Sequence, residues 1–182
     1  EVIDEVDDDR LRVYLYHIPP ISQVGFSLDL IDRLRNEFPE TVVGLKDSSG
    51  DWSNMQAILE RFPDFELFPG SEAFLLDGLR GGAVGTISAS ANVNGAMMRK
   101  LFDDWQGANA DELQAQISAI RTTLQGYPLI PVMKALVAHY RGDEAWAVLR
   151  APNMALDTAT ARRAIKQLAA EHDFALDLAL SV

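Results

Sequence analysis

Thr41-Val42-Val43-Gly44-Leu45-Lys46-Asp47-Ser48-Ser49-Gly50-Asp51 is the stretch on which the fold turns. Its first half is short, β-branched and apolar, the composition of a strand. Asp47 to Asp51 reads as a turn, with Ser49 or Asp51 placed to cap a helix. That helix is marked by Met55, Ile58, Leu59 and Phe62 at helical spacing. A buried strand passing directly into a capped helix is the repeating unit of a parallel α/β fold.

The same unit recurs on both sides. Upstream, Leu11 to Tyr16 is a strand that stops at Pro19-Pro20, and Ser27 caps a helix with Leu30, Ile31, Leu34 and Phe38 on one face and Pro39 at its end. Still earlier, Val2, Ile3 and Val6 read as the end of a helix. Downstream, Phe65 to Phe68 is a third strand ending at Pro69-Gly70, a short helix spans about Ala73 to Leu79, and Ala83 to Ser88 is a fourth strand. Strands this apolar call for cover on both faces. Four of them leave two unpaired edges, so a βα neighbour is expected before the first.

Beyond Asn92 the pattern is helical only. Met97, Met98, Leu101, Phe102 and Trp105 suit one helix. Leu113, Ile117, Ile120 and Leu124 suit a second, and Met133, Leu136, Val137 and Tyr140 a third that starts at Pro131. Ala161, Ile165 and Leu168 suit a last helix, entered after Asp157 or Thr158. The expected organisation is an α/β region over residues 1–106 and an all-helical domain over 107–182, with the boundary near Gly107.

Composition narrows the function. The 182 residues are 48% hydrophobic and 24% charged, as in ordinary globular chains. Cysteine is absent, which excludes disulfides and thiolate zinc sites and fits a reducing compartment. With 16 basic against 27 acidic residues the formal net charge is -11, a surface that repels phosphate backbones and anionic lipid. There is no run of about 18 apolar residues. The expectation is a soluble cytoplasmic protein that binds neither nucleic acid nor membrane.

Two residues could carry chemistry. Lys46 stands at the carboxyl end of its strand, the end that faces the ligand in parallel α/β folds. A free amine there can attack a ketone and form a Schiff base. Tyr16 ends the neighbouring strand, close enough for a phenol to relay protons to that amine. An ordinary strand-end lysine paired with Asp47, beside a packed aromatic, fits the spacing as well. Gly81-Gly82-Ala83-Val84-Gly85 precedes its strand, so it is a tight turn rather than a phosphate loop. The three histidines, His17, His139 and His172, show no ligand pattern, and no metal is expected.

Taken together, Tyr16-His17-Ile18-Pro19, Gly44-Leu45-Lys46-Asp47-Ser48-Ser49-Gly50-Asp51, Gly81-Gly82-Ala83-Val84-Gly85-Thr86-Ile87-Ser88, Ala91-Asn92 and Ile130-Pro131-Val132-Met133-Lys134 resemble one family. It is the dihydrodipicolinate synthase and N-acetylneuraminate lyase superfamily, the pyruvate-type class I aldolases. The resemblance implies a TIM barrel with a C-terminal helical domain, of which this chain holds strands five to eight and the helices. It implies Lys46 as the Schiff-base lysine, Tyr16 as the proton relay, and Gly70 and the Ile87 backbone at the keto-acid pocket. It implies no cofactor, a keto acid and an aldehyde as partners, and a homo-oligomer. The glycine-threonine motif that holds the pyruvate carboxylate in the family has no counterpart here, nor has the first half of the barrel.

Two departures concern the second substrate. The synthases carry an arginine where Ile21 stands, and asparagine is usual at His17. Neuraminate lyases carry an acidic pair after the strand-seven glycine, whereas Glu72 is followed here by Ala73. The expectation is therefore a keto-acid aldolase or lyase of unassigned electrophile. Dihydrodipicolinate synthase proper, a keto-acid-binding homologue without turnover and a structural subunit are the alternatives.

Overall fold

The computed structural model describes residues 1–172. Residues 173–182 of the expected helical domain lie outside the described residues. The chain divides into two compact units, Glu1–Ile87 and a second from Ser88 onward. The expected boundary at Gly107 falls inside the second, in the turn between two of its helices.

The first unit runs α1 (Val2–Val6), β1 (Val13–His17), α2 (Pro19–Ser22), α3 (Leu28–Glu37), β2 (Val42–Asp47), α4 (Trp52–Arg61), β3 (Glu66–Pro69), a 3₁₀ turn (Glu72–Phe74) and α5 (Leu75–Gly81). The strands form one parallel sheet in the order β1-β2-β3. Ser27 accepts the Leu30 amide and Asp51 that of Ser53, so both long helices start where their cap residues predict. Gly82 closes α5 at φ 102°, a left-handed C-cap that a side chain would strain.

Alternation divides the sheet into two unlike faces. Leu45 and Leu67 are 0% exposed and pack with Val42 against Ile31 of α3 and Met55, Ile58 and Leu59 of α4. Each such leucine contributes about 1.5–3 kcal/mol by leaving water. The opposite face carries Tyr14, Tyr16, Gly44, Lys46, Glu66 and Phe68, and Tyr14 and Tyr16 are 44% and 49% exposed. Cover on both faces was expected, but only one face of this chain is covered. The reason is composition: only one row of strand side chains is aliphatic. Helices on one face alone are the arrangement of an outer helix layer, not of a doubly wound sheet.

The expected fourth strand does not form as a regular strand. The Val84 amide donates to the Leu67 carbonyl at 3.1 Å and the Ile87 amide to the Pro69 carbonyl at 3.1 Å. A parallel ladder would next return a bond from residue 69 to the Val84 carbonyl, and Pro69 has no N–H to give. The Thr86 hydroxyl also donates to the Pro69 carbonyl, at 2.7 Å. The segment therefore runs beside β3 in extended form without a ladder.

In the second unit the described elements are α6 (Ala91–Asp103), α7 (Ala110–Gln125), α8 (Leu129–Arg141), a 3₁₀ turn (Glu144–Ala147) and α9 (Thr158–His172). Ile120 and Leu124 pack with Val132, Met133, Leu136, Val137, Ala164 and Leu168, the faces that spacing marks. Trp105 falls beyond the α6 cap at Asp104. α8 begins at Leu129 rather than Pro131. A proline fits anywhere in a first turn, since those amides have no partner within the helix. Among the described residues no helix is long and apolar enough to cross a membrane.

Candidate functional site

β1 and β2 end level with one another, and the register sets Tyr16 opposite Lys46. Both side chains leave the uncovered face. The Lys46 Nζ donates to the Tyr16 hydroxyl at 3.2 Å and lies 4.2 Å from the centre of its ring. Residues 30 apart in sequence thus meet at the carboxyl end of the sheet. Burial pushes the Tyr16 phenol up, but hydrogen bonds with Lys46 and Ser48 and the lysine charge outweigh it. The net result lies below the usual phenol range.

Asp47 belongs to the other face and does not pair with Lys46. It is fully buried. Its carboxylate accepts the Ser49 amide at 2.8 Å, the Ser49 hydroxyl at 2.6 Å and the Asn54 side-chain amide at 2.7 Å. These bonds fix the turn that follows Lys46. The Ser48 amide donates to the His17 carbonyl at 2.7 Å and ties that turn to β1.

Gly70 sits where β3 leaves the sheet, its amide donating to the Asp47 carbonyl at 2.6 Å. A Cβ at this position would strike the Ser48 hydroxyl and lie 2.7 Å from the Asp47 carbonyl oxygen and 2.9 Å from the Ser48 Cα. The absent side chain leaves room for the serine that bonds Tyr16. Gly70→Ala is accordingly expected to cost about 1–3 kcal/mol through overpacking. It should also move Ser48 off Tyr16. Thermal unfolding together with a Tyr16 titration checks this, and an alanine variant unchanged in both would contradict it.

The remaining predicted site residues are distributed unevenly. Ile87 is 45% exposed at the end of the fourth segment. Its amide donates to the Pro69 carbonyl. Ile21 lies on α2, the short helix after β1, and is 75% exposed. His17 is not brought to the pair. Alternation turns it to the covered face, where it is buried and its Nδ1 accepts the Phe26 amide at 3.0 Å. Gly25 approaches so closely that a Cβ there would lie 2.9 Å from the imidazole. His17 thus anchors the loop after α2.

Sequence reasoning missed Ser48 and the Tyr14–Glu66 pair. Ser48 was within reach of it, because alternation carries residue 48 to the side of residue 46. The Tyr14 hydroxyl donates to the Glu66 carboxylate across Gly44, a contact that only the three-strand register reveals. Among the described residues no group of three or more His, Asp or Glu could hold a metal ion.

Known proteins share the family signature and the fold of this chain. The model of the dihydrodipicolinate synthetase family matches residues 1–171. A DapA-like lyase of Chloroflexus aurantiacus, itself uncharacterised, is 34% identical over 146 residues, 80% of this chain and 48% of the relative. The crystal structure of dihydrodipicolinate synthase from Agrobacterium tumefaciens superposes with TM-score 0.81 at 31% identity, covering 93% of this chain and 57% of that one. CdNal from Clostridium difficile, solved in complex with mannosamine, gives TM-score 0.79 at 26% identity, covering 94% and 57%. The chain spans about half the length of the relatives it matches. An α/β chain matched by the family model over nearly its whole length, with these likenesses, belongs to the dihydrodipicolinate synthetase family.

Proposed function

We propose that the protein to which this chain contributes condenses or cleaves a 2-keto acid, pyruvate in the first instance, through an imine on Lys46. The observation that carries this is the 3.2 Å contact between the Lys46 amine and the Tyr16 hydroxyl on the uncovered face at the sheet's carboxyl end. The chain supplies the part of a (β/α)8 barrel that holds strands five to seven and the extended segment at the place of strand eight, within residues 1–106, and a helical domain that begins at residue 107. The other strands, which close the barrel over the uncovered face, and the carboxylate-binding motif come from the rest of the assembled protein, a cytoplasmic homo-oligomer.

In the forward direction the neutral amine attacks C2 of the keto acid and a C–N bond forms. The carbonyl oxygen gains two protons in turn and leaves as water, so the product is an iminium. Loss of a C3 proton gives an enamine, whose C3 attacks the aldehyde carbon and forms the C–C bond. Water then returns the lysine. Tyr16 carries protons between nitrogen, the departing oxygen and the aldehyde oxygen. Gly70 and the Ile87 carbonyl border the keto acid. Borohydride reduction in the presence of pyruvate, followed by peptide mapping, tests the reading. The expected result is an adduct on Lys46, and no adduct on Lys46 in the assembled protein overturns it.

A second reading, dihydrodipicolinate synthase proper, draws on the 31% identity to the Agrobacterium enzyme. Ile21 speaks against it. A cation facing a substrate carboxylate contributes about 1.5–3 kcal/mol, which isoleucine does not supply. The electrophile is then a neutral polyhydroxylated or apolar aldehyde. Aspartate semialdehyde should be used about 10–100-fold less well than the preferred aldehyde, and Ile21→Arg should narrow that gap. A panel of aldehydes with both forms decides it. Wild-type preference for aspartate semialdehyde would return the protein to the lysine-forming synthases.

A further inference from the structure

Below the Tyr16–Lys46–Phe68 row of the uncovered face lies a second row, Tyr14–Gly44–Glu66. Tyr14 lies across Gly44, where a Cβ would approach its ring to 2.6 Å, and donates its hydroxyl to the Glu66 carboxylate. The Tyr14 ring also meets Phe68 edge-on, with centres 5.7 Å apart. Phe68 is the register partner of Lys46. Glu66 thus stands one strand over and one pleat below Lys46, a backbone separation of about 8 Å from ordinary sheet spacings. Four methylenes on one side and two on the other close that distance readily.

Glu66 is therefore the natural competitor of Tyr16 for the Lys46 amine. Among the described residues Lys46 nevertheless makes no ion pair, and its amine lies on Tyr16. We propose that Tyr14 is a positioning residue: by holding the Glu66 carboxylate across Gly44, it keeps Glu66 from pairing with Lys46 and leaves the amine on Tyr16. This rests on the Schiff-base reading of Lys46. An amine drawn to the Glu66 carboxylate is turned away from Tyr16 and from the keto-acid carbonyl, so it attacks slowly. Glycine at position 44 is part of the device, since any side chain there would part Tyr14 from Glu66.

The test is the rate of borohydride trapping with pyruvate in the assembled protein for wild type, Tyr14→Phe and the double variant Tyr14→Phe/Glu66→Gln. Tyr14→Phe removes one hydroxyl and keeps the ring on Phe68. It should trap about tenfold more slowly, since the freed carboxylate captures the amine. The double variant has no charge with which to capture Lys46 and should recover most of the wild-type rate. Loss of packing alone would not be rescued in this way. A wild-type adduct on Lys46 with Tyr14→Phe equally fast, or with the double variant as slow as the single one, overturns this inference and leaves the Schiff-base reading standing. A wild type that forms no adduct overturns both.

Discussion

Replacing Lys46 by arginine is expected to abolish the borohydride-stable pyruvate adduct and to lower turnover by roughly 10⁴–10⁶-fold, the scale seen when a covalent nucleophile is removed. Arginine keeps the positive charge and most of the length, so the contact with Tyr16 can persist. Its guanidinium stays protonated and is no nucleophile, so the C–N bond cannot form. In the isolated chain, where the side chain leaves an uncovered face of the sheet, stability should change little, within about 0.5 kcal/mol. Unchanged thermal unfolding with lost trapping is the expected pair of results. The other lysines, Lys100, Lys134 and Lys166, stand on helices α6, α8 and α9. An adduct that survives in the variant and maps to one of these, or turnover within tenfold of wild type, would remove Lys46 from its proposed role.

The sequence revealed elements whose stability is local, and it was less informative wherever partners are distant. Ser27 and Asp51 cap the helices that follow them because a cap is an interaction over two or three residues. The buried faces of α4, α7 and α8 follow from spacing for the same reason. Tyr16 and Lys46 were paired from strand ends alone, and the register puts them opposite one another. The Ala83–Ser88 segment misled because propensity says what a segment prefers, while a ladder also needs donors on its neighbour, and Pro69 has none. The resemblance set His17 among the positions that concern the second substrate, but one step along a strand reverses the face, and the Phe26 amide claims its Nδ1. Tyr14 and Glu66 are separated by 52 residues, and nothing near either marks the other.

Tyr16→Phe carries the second large effect, a loss in turnover of about 10²–10⁴-fold. The variant keeps the ring against which the Lys46 amine lies and removes only the proton-carrying atom. Trapping of the imine should survive at a reduced rate, because Lys46 itself is intact. The pH dependence tells proton transfer from packing. Burial raises the Tyr16 phenol, while hydrogen bonds with Lys46 and Ser48 and the lysine charge lower it further, so the phenolate forms at lower pH than on a free phenol. A group depressed in this way favours the folded state fully only above its unfolded value, about 10, and that gain is lost as pH falls through the folded value. Near neutral pH the shift therefore serves proton transfer rather than folding. In wild type the ionisation that belongs to Tyr16 should appear below the free-phenol range in both the rate profile and the tyrosinate absorbance. Ser48→Ala removes one lowering bond and should move that ionisation upward, and Tyr16→Phe should delete it from both. A phenylalanine variant whose turnover and pH profile match wild type would leave Tyr16 as packing alone and pass the relay to another group.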